Sequence, residues 1–374
     1  KLCCSSGMDR LRQIGSWRQI WRSTLIAHLL LGLTVSLFVM TRAEISSAQT
    51  NQAQTDNSKT DMAQSKRKIK LPPCRYVKVL VAAGAGSGTD LIMRSLVRSA
   101  NAARPKPLFR VVNREGKDVW TETATSAPNG CTLLTVNQDL VAAYLLGARD
   151  LDWESFRPLA LLVRVAAVLA GKSTLEAENL KDLLTSVRET PGSVSVGYSD
   201  SRLERIFLAT LETNAKVSFD RKAFETGVDM FTALLEKRVD LGFISVPAAR
   251  RRIQDGKLKA FGVSTAERIA SLSDVPTLAE QGGFSFGYDL GLIVAKGTPV
   301  ELVDHLAAIF EKAVEDKLLV DELGENGIMI HFLASDPYTR YLEDLRADWR
   351  KLLGTEDSDK KPGDKLPPVK GQKS

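Results

Sequence analysis

The stretch VLVAAGAGSGTD, residues 79–90, decides the fold of this chain. It completes a run at 77–83 that is apolar apart from Lys78, the pattern of a strand buried on both faces. A glycine loop follows, and after it apolar residues recur at helical spacing. These residues are Ile92, Met93, Leu96, Val97 and Ala100. We therefore predict a strand, a loop and a helix, the beginning of a βαβ unit.

The same alternation continues along the chain. Predicted strands at 108–112 and 131–136, with a helical stretch near 118–126 between them, complete a βαβαβ pattern. This order is typical of a parallel sheet with right-handed crossovers. Further strands are predicted at 159–162, 165–170, 194–196, 241–244 and 259–264. The sequence therefore predicts an α/β fold.

The distribution of charge excludes one class of function. The chain has 374 residues, a formal charge of +6 and a pI near 9.0, which alone would suggest a nucleic-acid-binding protein. The net charge is +4 over residues 1–48, +3 over 49–74 and +1 over 355–374, which leaves −2 for residues 75–354. A region of net charge −2 lacks the basic surface that binding to a phosphate backbone requires. We expect no nucleic-acid partner.

The N-terminal residues predict export. Arginines precede an apolar run at 24–40, and small residues follow it up to Ala43 and Ala48. A basic region, an apolar run and a small-residue exit make a secretory signal peptide over residues 1–48. An uncleaved membrane anchor is the alternative, although the 17-residue run is shorter than the ~20 residues that a spanning helix needs. Either reading places the protein outside the cytoplasm, in the periplasm.

Two further segments are predicted to lie outside the folded part of the chain. Residues 49–74 form a polar stretch with little to bury, and we interpret them as a flexible linker. Residues 355–374 combine prolines with alternating charge, and we interpret them as a disordered tail. The folded part is therefore predicted to span residues 75–354.

The glycine loop predicts an anion-binding site. Successive glycines let backbone N–H groups converge, and the start of a helix adds a positive dipole. A dinucleotide fingerprint needs G-x-G-x-x-G, whereas these glycines fall as G-x-G-x-G at Gly84, Gly86 and Gly88. A Walker A loop needs Gly-Lys-Ser/Thr, which this loop lacks. A tight turn without a ligand remains the structural alternative.

Catalytic chemistry has little support in the sequence. His305 falls in a predicted helix and His331 in a short strand, and no HExxH, GxSxG or paired-cysteine motif is present. We therefore predict no enzyme, no catalytic residue, no metal site and no cofactor. Cys74 and Cys131 open the first and third predicted strands, which are neighbours in a doubly wound sheet. Export favours a disulfide between them, but spacing alone does not establish the connectivity.

Several blocks, in a constant order, resemble the Bug or TctC family of periplasmic solute-binding proteins of tripartite tricarboxylate transport. The resemblance covers about residues 76–353. Its most specific blocks are GKLKAFGVST at 256–265 and SDVPTLAEQG at 273–282. The other matching blocks are VLVAAGAGSGTD (79–90), VVNREG (111–116), SAPNGCTLL (126–134), LDWESFRPLALLV (151–163), PGSVSVGYS (191–199), ALLEKRVDLGFISVP (233–247) and AKGTPVELVDHLAAIFEKAVED (295–316).

The resemblance implies a periplasmic-binding-protein fold of type II, with two α/β lobes of mostly parallel sheets around a ligand cleft. The lobes would be 75–172 plus 288–354, and 173–287. Such a receptor captures a small organic solute, here expected to be a carboxylate, and delivers it to two integral membrane transporter subunits. We expect the receptor itself to be a monomer.

The resemblance also implies a set of ligand-binding residues. In the first lobe they belong to the glycine loop, with Thr89 or Asp90 capping the following helix, and to the loop after the third strand. In the second lobe they belong to three loops. The full set is Ala83, Gly84, Gly86, Ser87, Gly88, Thr89, Asp90, Asn137, Gln138, Ser199, Asp200, Ser201, Arg202, Thr226, Gly227 and Ser245.

The cleft departs from the family's pattern in ways that bear on function. Residues 115–120, ending in Trp120, replace a glycine-rich loop, and Arg202 enters a shortened loop of the second lobe. The family's tyrosine-lysine-glycine turn becomes Glu225-Thr226-Gly227, and its acidic residue near Ile244 is missing. Either specificity has shifted or binding has been lost. The alternative function is therefore a sensory or protein-interaction module whose cleft is closed by Trp120 or by an internal Arg–Glu pair.

Overall fold

The computed structural model describes residues 70–114, 118–147, 151, 153–199, 201–282 and 284–354. The predicted leader, the predicted tail and residues 49–69 of the predicted linker lie outside these ranges. Within the described part, no helix has both the length and the apolar character to cross a membrane.

The strands form two separate sheets. In chain order they are β1 (Tyr76–Val81), β2 (Leu108–Asn113), β3 (Thr132–Val136), β4 (Phe156–Val165), β5 (Ala167–Lys172), β6 (Ser195–Ser199), β7 (Asp220–Phe224), β8 (Leu241–Ser245), β9 (Leu258–Val263), β10 (Tyr288–Ala295) and β11 (Ile328–Ala334).

The helices connect and cover these strands. They are α1 (Gly88–Ala102), α2 (Asp118–Ala124), α3 (Asp139–Leu145), α4 (Leu180–Glu189), α5 (Arg202–Ala215), α6 (Gly227–Leu235), α7 (Val246–Gln254), α8 (Leu278–Gly282), α9 (Val300–Val314), α10 (Lys317–Gly324) and α11 (Ser335–Leu353). Single 3₁₀ turns occur at Trp153–Ser155 and Ala270–Leu272.

The first sheet has six strands in the order β11-β4-β10-β3-β1-β2. Strand β1 pairs in parallel with both β2 and β3, as the βαβαβ pattern predicts. Strand β10 is antiparallel to β3 and β4, and β11 is antiparallel to β4. In β1, Val79 and Val81 join the core on one face while Leu80 joins the core on the other. The predicted burial of this strand on both faces is therefore confirmed.

The second sheet has five strands in the order β7-β6-β8-β5-β9. Strand β6 is parallel to β7 and β8, whereas β5 is antiparallel to β8 and β9. The predicted α/β architecture with two sheets is confirmed, and each sheet contains antiparallel as well as parallel pairs. Strand β5 follows β4 with only Ala166 between them, so no helical crossover sets its direction, and it runs antiparallel to both of its neighbours in the second sheet.

The chain passes between the sheets at two adjacent places. Strand β4 ends at Val165 and β5 begins at Ala167, so the first passage is at Ala166 and not at the predicted boundary, residue 172. The second passage lies between β9 and β10. Ser264 joins the two passages, because its amide donates to the carbonyl of Ala167 (2.8 Å) and its Oγ accepts from the Ala167 amide (3.0 Å).

A disulfide joins the starts of two neighbouring strands of the first sheet. Cys74 lies just before β1 and Cys131 just before β3, and their sulfur atoms are bonded with a Cα–Cα distance of 5.9 Å. The two strands pair from Lys78 and Thr132 onward. The covalent link therefore closes this end of the strand pair.

Candidate functional site

The glycine loop connects β1 to α1, and Ser87 is the N-cap residue of that helix. The Ser87 side chain accepts a hydrogen bond from the Asp90 amide at 3.3 Å, and the Ser87 amide donates to the Gly84 carbonyl at 3.2 Å. Gly86 has a φ of +83°, a conformation that favours glycine. The predicted cap at Thr89 or Asp90 is therefore wrong, because the helix already begins at Gly88.

The Asp90 side chain folds back into the glycine loop. Its carboxylate is 1% exposed and accepts from the amide of Gly86 (2.8 Å), Nε of Arg94 (3.0 Å) and Nδ2 of Asn113 (2.8 Å). The hydrogen bond from Arg94, which outweighs the cost of burial, lowers the pKa of Asp90 to about 2. Asp90 therefore holds the loop in shape, and its charge already satisfies one of the loop's amides.

A cavity of about 310 Å³ lies beside this loop. Its walls come from the end of β3, from the segments that follow β1, β3 and β6, including the first turns of α1, α3 and α5, and from one residue each of α2 and β10. The lining residues are Ala82, Ala83, Thr89, Trp120, Thr135, Val136, Asn137, Asp139, Ser201, Arg202, Leu203 and Leu290. Both sheets therefore contribute to one cavity, at the carboxyl ends of parallel strands, where α/β proteins place their ligands.

An ion pair crosses this cavity from one sheet's helices to the other's. Arg202, the first residue of α5, donates from Nε to Oδ1 of Asp139 at 2.7 Å and from Nη2 to Oδ2 at 2.6 Å. Asp139 is the first residue of α3, which follows β3 of the first sheet. The two side chains are 32% and 22% exposed respectively. The geometry is the bidentate one in which a guanidinium binds a carboxylate most strongly.

One polar group of the cavity wall lacks a hydrogen-bond partner among the residues that the structure describes. The Thr135 side chain is 4% exposed, and its Oγ1 forms no hydrogen bond with any residue that the structure describes. Buried hydroxyls in native proteins are normally hydrogen-bonded, so this group is open to a hydrogen bond with a molecule in the cavity. Trp120 forms an apolar part of the same wall and packs edge-on against Phe156, with ring centroids 6.1 Å apart.

A second polar contact between the sheets lies in the same first turn of α5. Glu204 accepts from the Ser199 amide at 2.6 Å and from the hydroxyl of Tyr288 at 3.4 Å. Burial raises the pKa of Glu204, and burial together with the Glu204 charge raises that of Tyr288 well above its ordinary value. Helix α5 of the second sheet is therefore linked to β10 of the first as well as to α3.

The structure brings together only part of the predicted site. Ala83, Thr89, Asn137, Ser201 and Arg202 line the cavity. Gly84, Gly86, Ser87, Gly88 and Asp90 form the body of the loop behind it. Asp200 lies outside the described residues.

The remaining predicted residues have other roles in the fold. Gln138 is buried and bonds the Gly287 carbonyl and the Asp289 amide. Ser199 ends β6, and Thr226 caps α6 beside Gly227. Ser245 is exposed at the start of α7. None of these five residues belongs to the cavity lining.

Sequence reasoning missed several lining residues, of which Asp139 and Thr135 carry the most chemistry. The sequence placed Asp139 after a loop but gave no sign of its partner, which is 63 positions away. Thr135 lies inside a predicted strand, where a threonine attracts no notice. Among the described residues, no group of three or more His, Cys, Asp or Glu side chains is placed to hold a metal ion.

A cavity between two α/β halves, walled by the segments after the carboxyl ends of their strands, is the arrangement in which α/β proteins bind small ligands. The sequence profile of the tripartite tricarboxylate transporter family receptor (TctC) matches residues 115–357. The chain therefore belongs to the TctC receptor family.

Individual relatives agree with this family assignment. A UPF0065 protein of Bordetella pertussis is 23% identical over 291 residues, covering 76% of this chain and 90% of that protein. A TctC solute-binding protein from Polaromonas, solved without ligand, superposes with a TM-score of 0.67 at 24% identity and covers 75% of this chain and 99% of its own. The Rhodopseudomonas palustris protein Rpa4515, solved with adipate, gives a TM-score of 0.62 at 23% identity over 76% and 97% of the chains. At these identities the two structures show a shared fold.

Proposed function

We propose that the chain is an exported receptor that binds a small organic solute carrying a carboxylate and presents it to membrane-embedded transporter subunits. The observation that carries this proposal is the cavity beside the glycine loop, which both sheets line and which contains the Arg202 guanidinium. Its volume of about 310 Å³ suits a small solute. The leader predicted at residues 1–48 would bring the receptor to the periplasm, where such solutes are captured.

Several groups in the cavity wall favour an anionic group on the solute. Thr89 and Ser201 lie at the N-terminal ends of α1 and α5, where backbone N–H groups and the helix dipole stabilise negative charge. Arg202 adds a fork of donors that matches a carboxylate. The adipate found in the R. palustris relative is a small carboxylate of this kind.

A thermal-shift screen of the purified protein against mono-, di- and tricarboxylates tests the proposal. A solute present at 100 times its Kd stabilises a protein by ~2.7 kcal/mol, which is a clear rise in Tm. A panel in which no carboxylate changes the Tm would overturn the proposal. Native mass spectrometry of the exported protein adds an independent measurement, since it detects a small acid that purifies with it.

Two serines provide a matched pair of variants for locating the site. Ser201 and Ser245 both precede a helix, and neither side chain makes a capping hydrogen bond, but only Ser201 lines the cavity. We expect Ser201→Ala to weaken solute binding by roughly tenfold, the size of one lost hydrogen bond. Ser245→Ala should leave the Kd unchanged. Equal effects of the two changes would place the solute elsewhere.

The Arg202–Asp139 pair favours one alternative function, a module whose cleft is closed by its own side chains. In such a protein the internal carboxylate of Asp139 takes the place of a solute. The cavity that remains beside Ala83 and Thr89 argues for the receptor. The carboxylate screen separates the two, because a closed module would show no stabilisation by any solute.

A further inference from the structure

The ion pair between Asp139 and Arg202 restricts which solutes the cavity accepts. Nε and Nη2 of Arg202 each already donate to one oxygen of the Asp139 carboxylate, and both side chains line the cavity. A solute that bonds this face of the guanidinium must therefore displace Asp139. Since the two side chains are only partly exposed, a charge separated from its partner is not fully compensated by water.

We infer that the solute carries a protonated amine as well as a carboxylate, and that it inserts between Arg202 and Asp139; this inference rests on the proposed receptor function. The solute's carboxylate takes the place of Asp139 on Arg202, and its ammonium takes the place of Arg202 on Asp139. Every charge in the cavity then keeps an opposite partner at hydrogen-bond distance.

A dicarboxylate does not satisfy the same arrangement. Its first carboxylate would bind Arg202, which leaves the Asp139 carboxylate without its guanidinium. Its second carboxylate would add a like charge to the cavity that holds Asp139, and like charges in a partly desolvated site repel. The ion pair therefore discriminates by charge between solutes of equal length.

The neighbouring side chains favour a primary amine over a quaternary one. The Asp139 carboxylate accepts hydrogen bonds, which an ammonium with N–H groups donates and a trimethylated nitrogen does not. The unpartnered hydroxyl of Thr135, buried in the same wall, is a further acceptor or donor for the solute's polar ends. Trp120 is the one aromatic side chain among the lining residues, whereas a site for quaternary ammonium groups is built from several rings.

Isothermal titration calorimetry with matched solutes tests the inference. Glutarate and 4-aminobutanoate have the same three methylenes and differ in one terminal group; adipate and 5-aminopentanoate form a second pair with four. We expect the wild-type protein to bind at least one amino acid more than tenfold more tightly than its dicarboxylate counterpart. This comparison needs no variant and so does not depend on whether a variant folds.

Asp139→Asn then identifies the residue responsible. Without the negative charge, we expect the amino acid to bind at least tenfold more weakly and the dicarboxylate to bind more tightly. Arg268→Gln is the control, because it breaks an exposed bidentate pair with Glu280 that lies outside the cavity lining. This control should change neither Kd, and circular dichroism should show that both variants are folded.

The outcomes separate this inference from the receptor function. If the wild-type protein prefers the dicarboxylates, the inference is wrong and the receptor function stands. If Asp139→Asn strengthens the binding of both classes of solute alike, the ion pair only holds the cleft closed. This result would overturn the inference but not the receptor function. If neither protein binds any carboxylate, the proposed function fails together with it.

Discussion

The Asp90 carboxylate shows how one side chain shapes the loop beside the cavity. It bonds Gly86, Arg94 and Asn113 at once, and Asn113 also donates to the Ala83 carbonyl at 3.1 Å. The loop between β1 and α1 is therefore connected to the end of β2. A side chain that resemblance alone would assign to the ligand serves here to keep the loop rigid.

Replacing Asp90 by Asn should lower the free energy of unfolding at neutral pH by about 2 kcal/mol, the range for hydrogen bonds to a charged group. Because its pKa in the folded protein is about 2, below the ordinary 3.8, the stability from ionised Asp90 is complete above pH 3.8. That stability is lost as the pH falls through 2. Urea denaturation across the acid range should show the wild-type and variant curves converging.

Asp229 is the matched control for this prediction. It occupies the same position in the first turn of α6 and also donates its amide to a capping side chain, that of Thr226, but it is exposed. Asp229→Asn should change the stability by less than about 0.5 kcal/mol. Equal losses in the two variants would contradict the structural role of Asp90.

At the residue scale, sequence reasoning identified the loop but not the function of each member. The segment SGTD contains Ser87, Thr89 and Asp90, all of which can cap a helix. Which of the three becomes the N-cap depends on where the chain leaves β1. The ion pair across the cavity could not be predicted from the sequence for a different reason. Arg202 and Asp139 belong to different sheets, and only their tertiary arrangement brings them together.

At the scale of elements, strand β10 and helix α11 are in unusually close contact. A Cβ atom added to Gly291 of β10 would lie 2.5 Å from the hydroxyl of Tyr338, which is fully buried on α11. The strand can pair with β3 and β4 under this helix only because position 291 has no side chain.

Gly291→Ala should therefore reduce the free energy of unfolding by about 1–3 kcal/mol, the cost of overpacking a core. Thermal and urea denaturation measure this loss. Gly227→Ala is the control, since a Cβ there meets nothing within 4 Å at the start of α6. A Gly291→Ala protein as stable as the control would mean that the helix and the strand are less tightly packed than the structure shows.

The elements themselves were largely predictable. The predicted strand at 77–83 is Tyr76–Val81, and the predicted strand at 131–136 is Thr132–Val136. Apolar periodicity records burial directly, and both strands are buried on two faces. The sheet to which a strand belongs leaves no such pattern, which is why residues 167–172 were assigned to the wrong half.

At the scale of the whole molecule, a buried ion pair lies beside the passages between the sheets. Arg164 near the end of β4 donates to both oxygens of Asp289 at the start of β10, at 2.5 and 2.7 Å. The Tyr341 hydroxyl also bonds Asp289, and the two charged side chains are 18% and 2% exposed. Burial by itself would lower the pKa of Arg164, but the hydrogen bonds that Arg164 donates to Asp289 and the negative charge of Asp289 outweigh burial and raise it, so Arg164 stays protonated.

Asp289→Asn should cost about 3–5 kcal/mol, because it leaves the Arg164 charge buried without its partner. Replacing both residues, as Arg164→Met with Asp289→Leu, should cost much less, since no charge is then stranded. Chemical denaturation of the two variants measures the difference. If the double variant is at least as unstable as Asp289→Asn, the loss is one of packing and not of charge.

The disulfide is the second feature that acts on the whole molecule. Cys74 and Cys131 are 57 positions apart, and closing a loop of that length should stabilise the folded chain by about 4 kcal/mol. Replacing both cysteines by Ala should lower the urea midpoint accordingly, and a reducing agent should then have no further effect on the variant. A midpoint equal to that of the oxidised wild-type protein would contradict this contribution.

The sequence by itself determined the family, the alternation of strands and helices, the glycine loop and the location of the excess positive charge outside residues 75–354. These features depend on local patterns, such as apolar spacing, turn residues and contiguous motifs. The tertiary structure alone decided which loops share the cavity, that Asp139 faces Arg202, and that the Thr135 hydroxyl has no hydrogen-bond partner among the described residues. The physical reason is that each of these features depends on segments that are far apart in the chain and come together only when the two sheets fold. A local sequence pattern does not record that proximity.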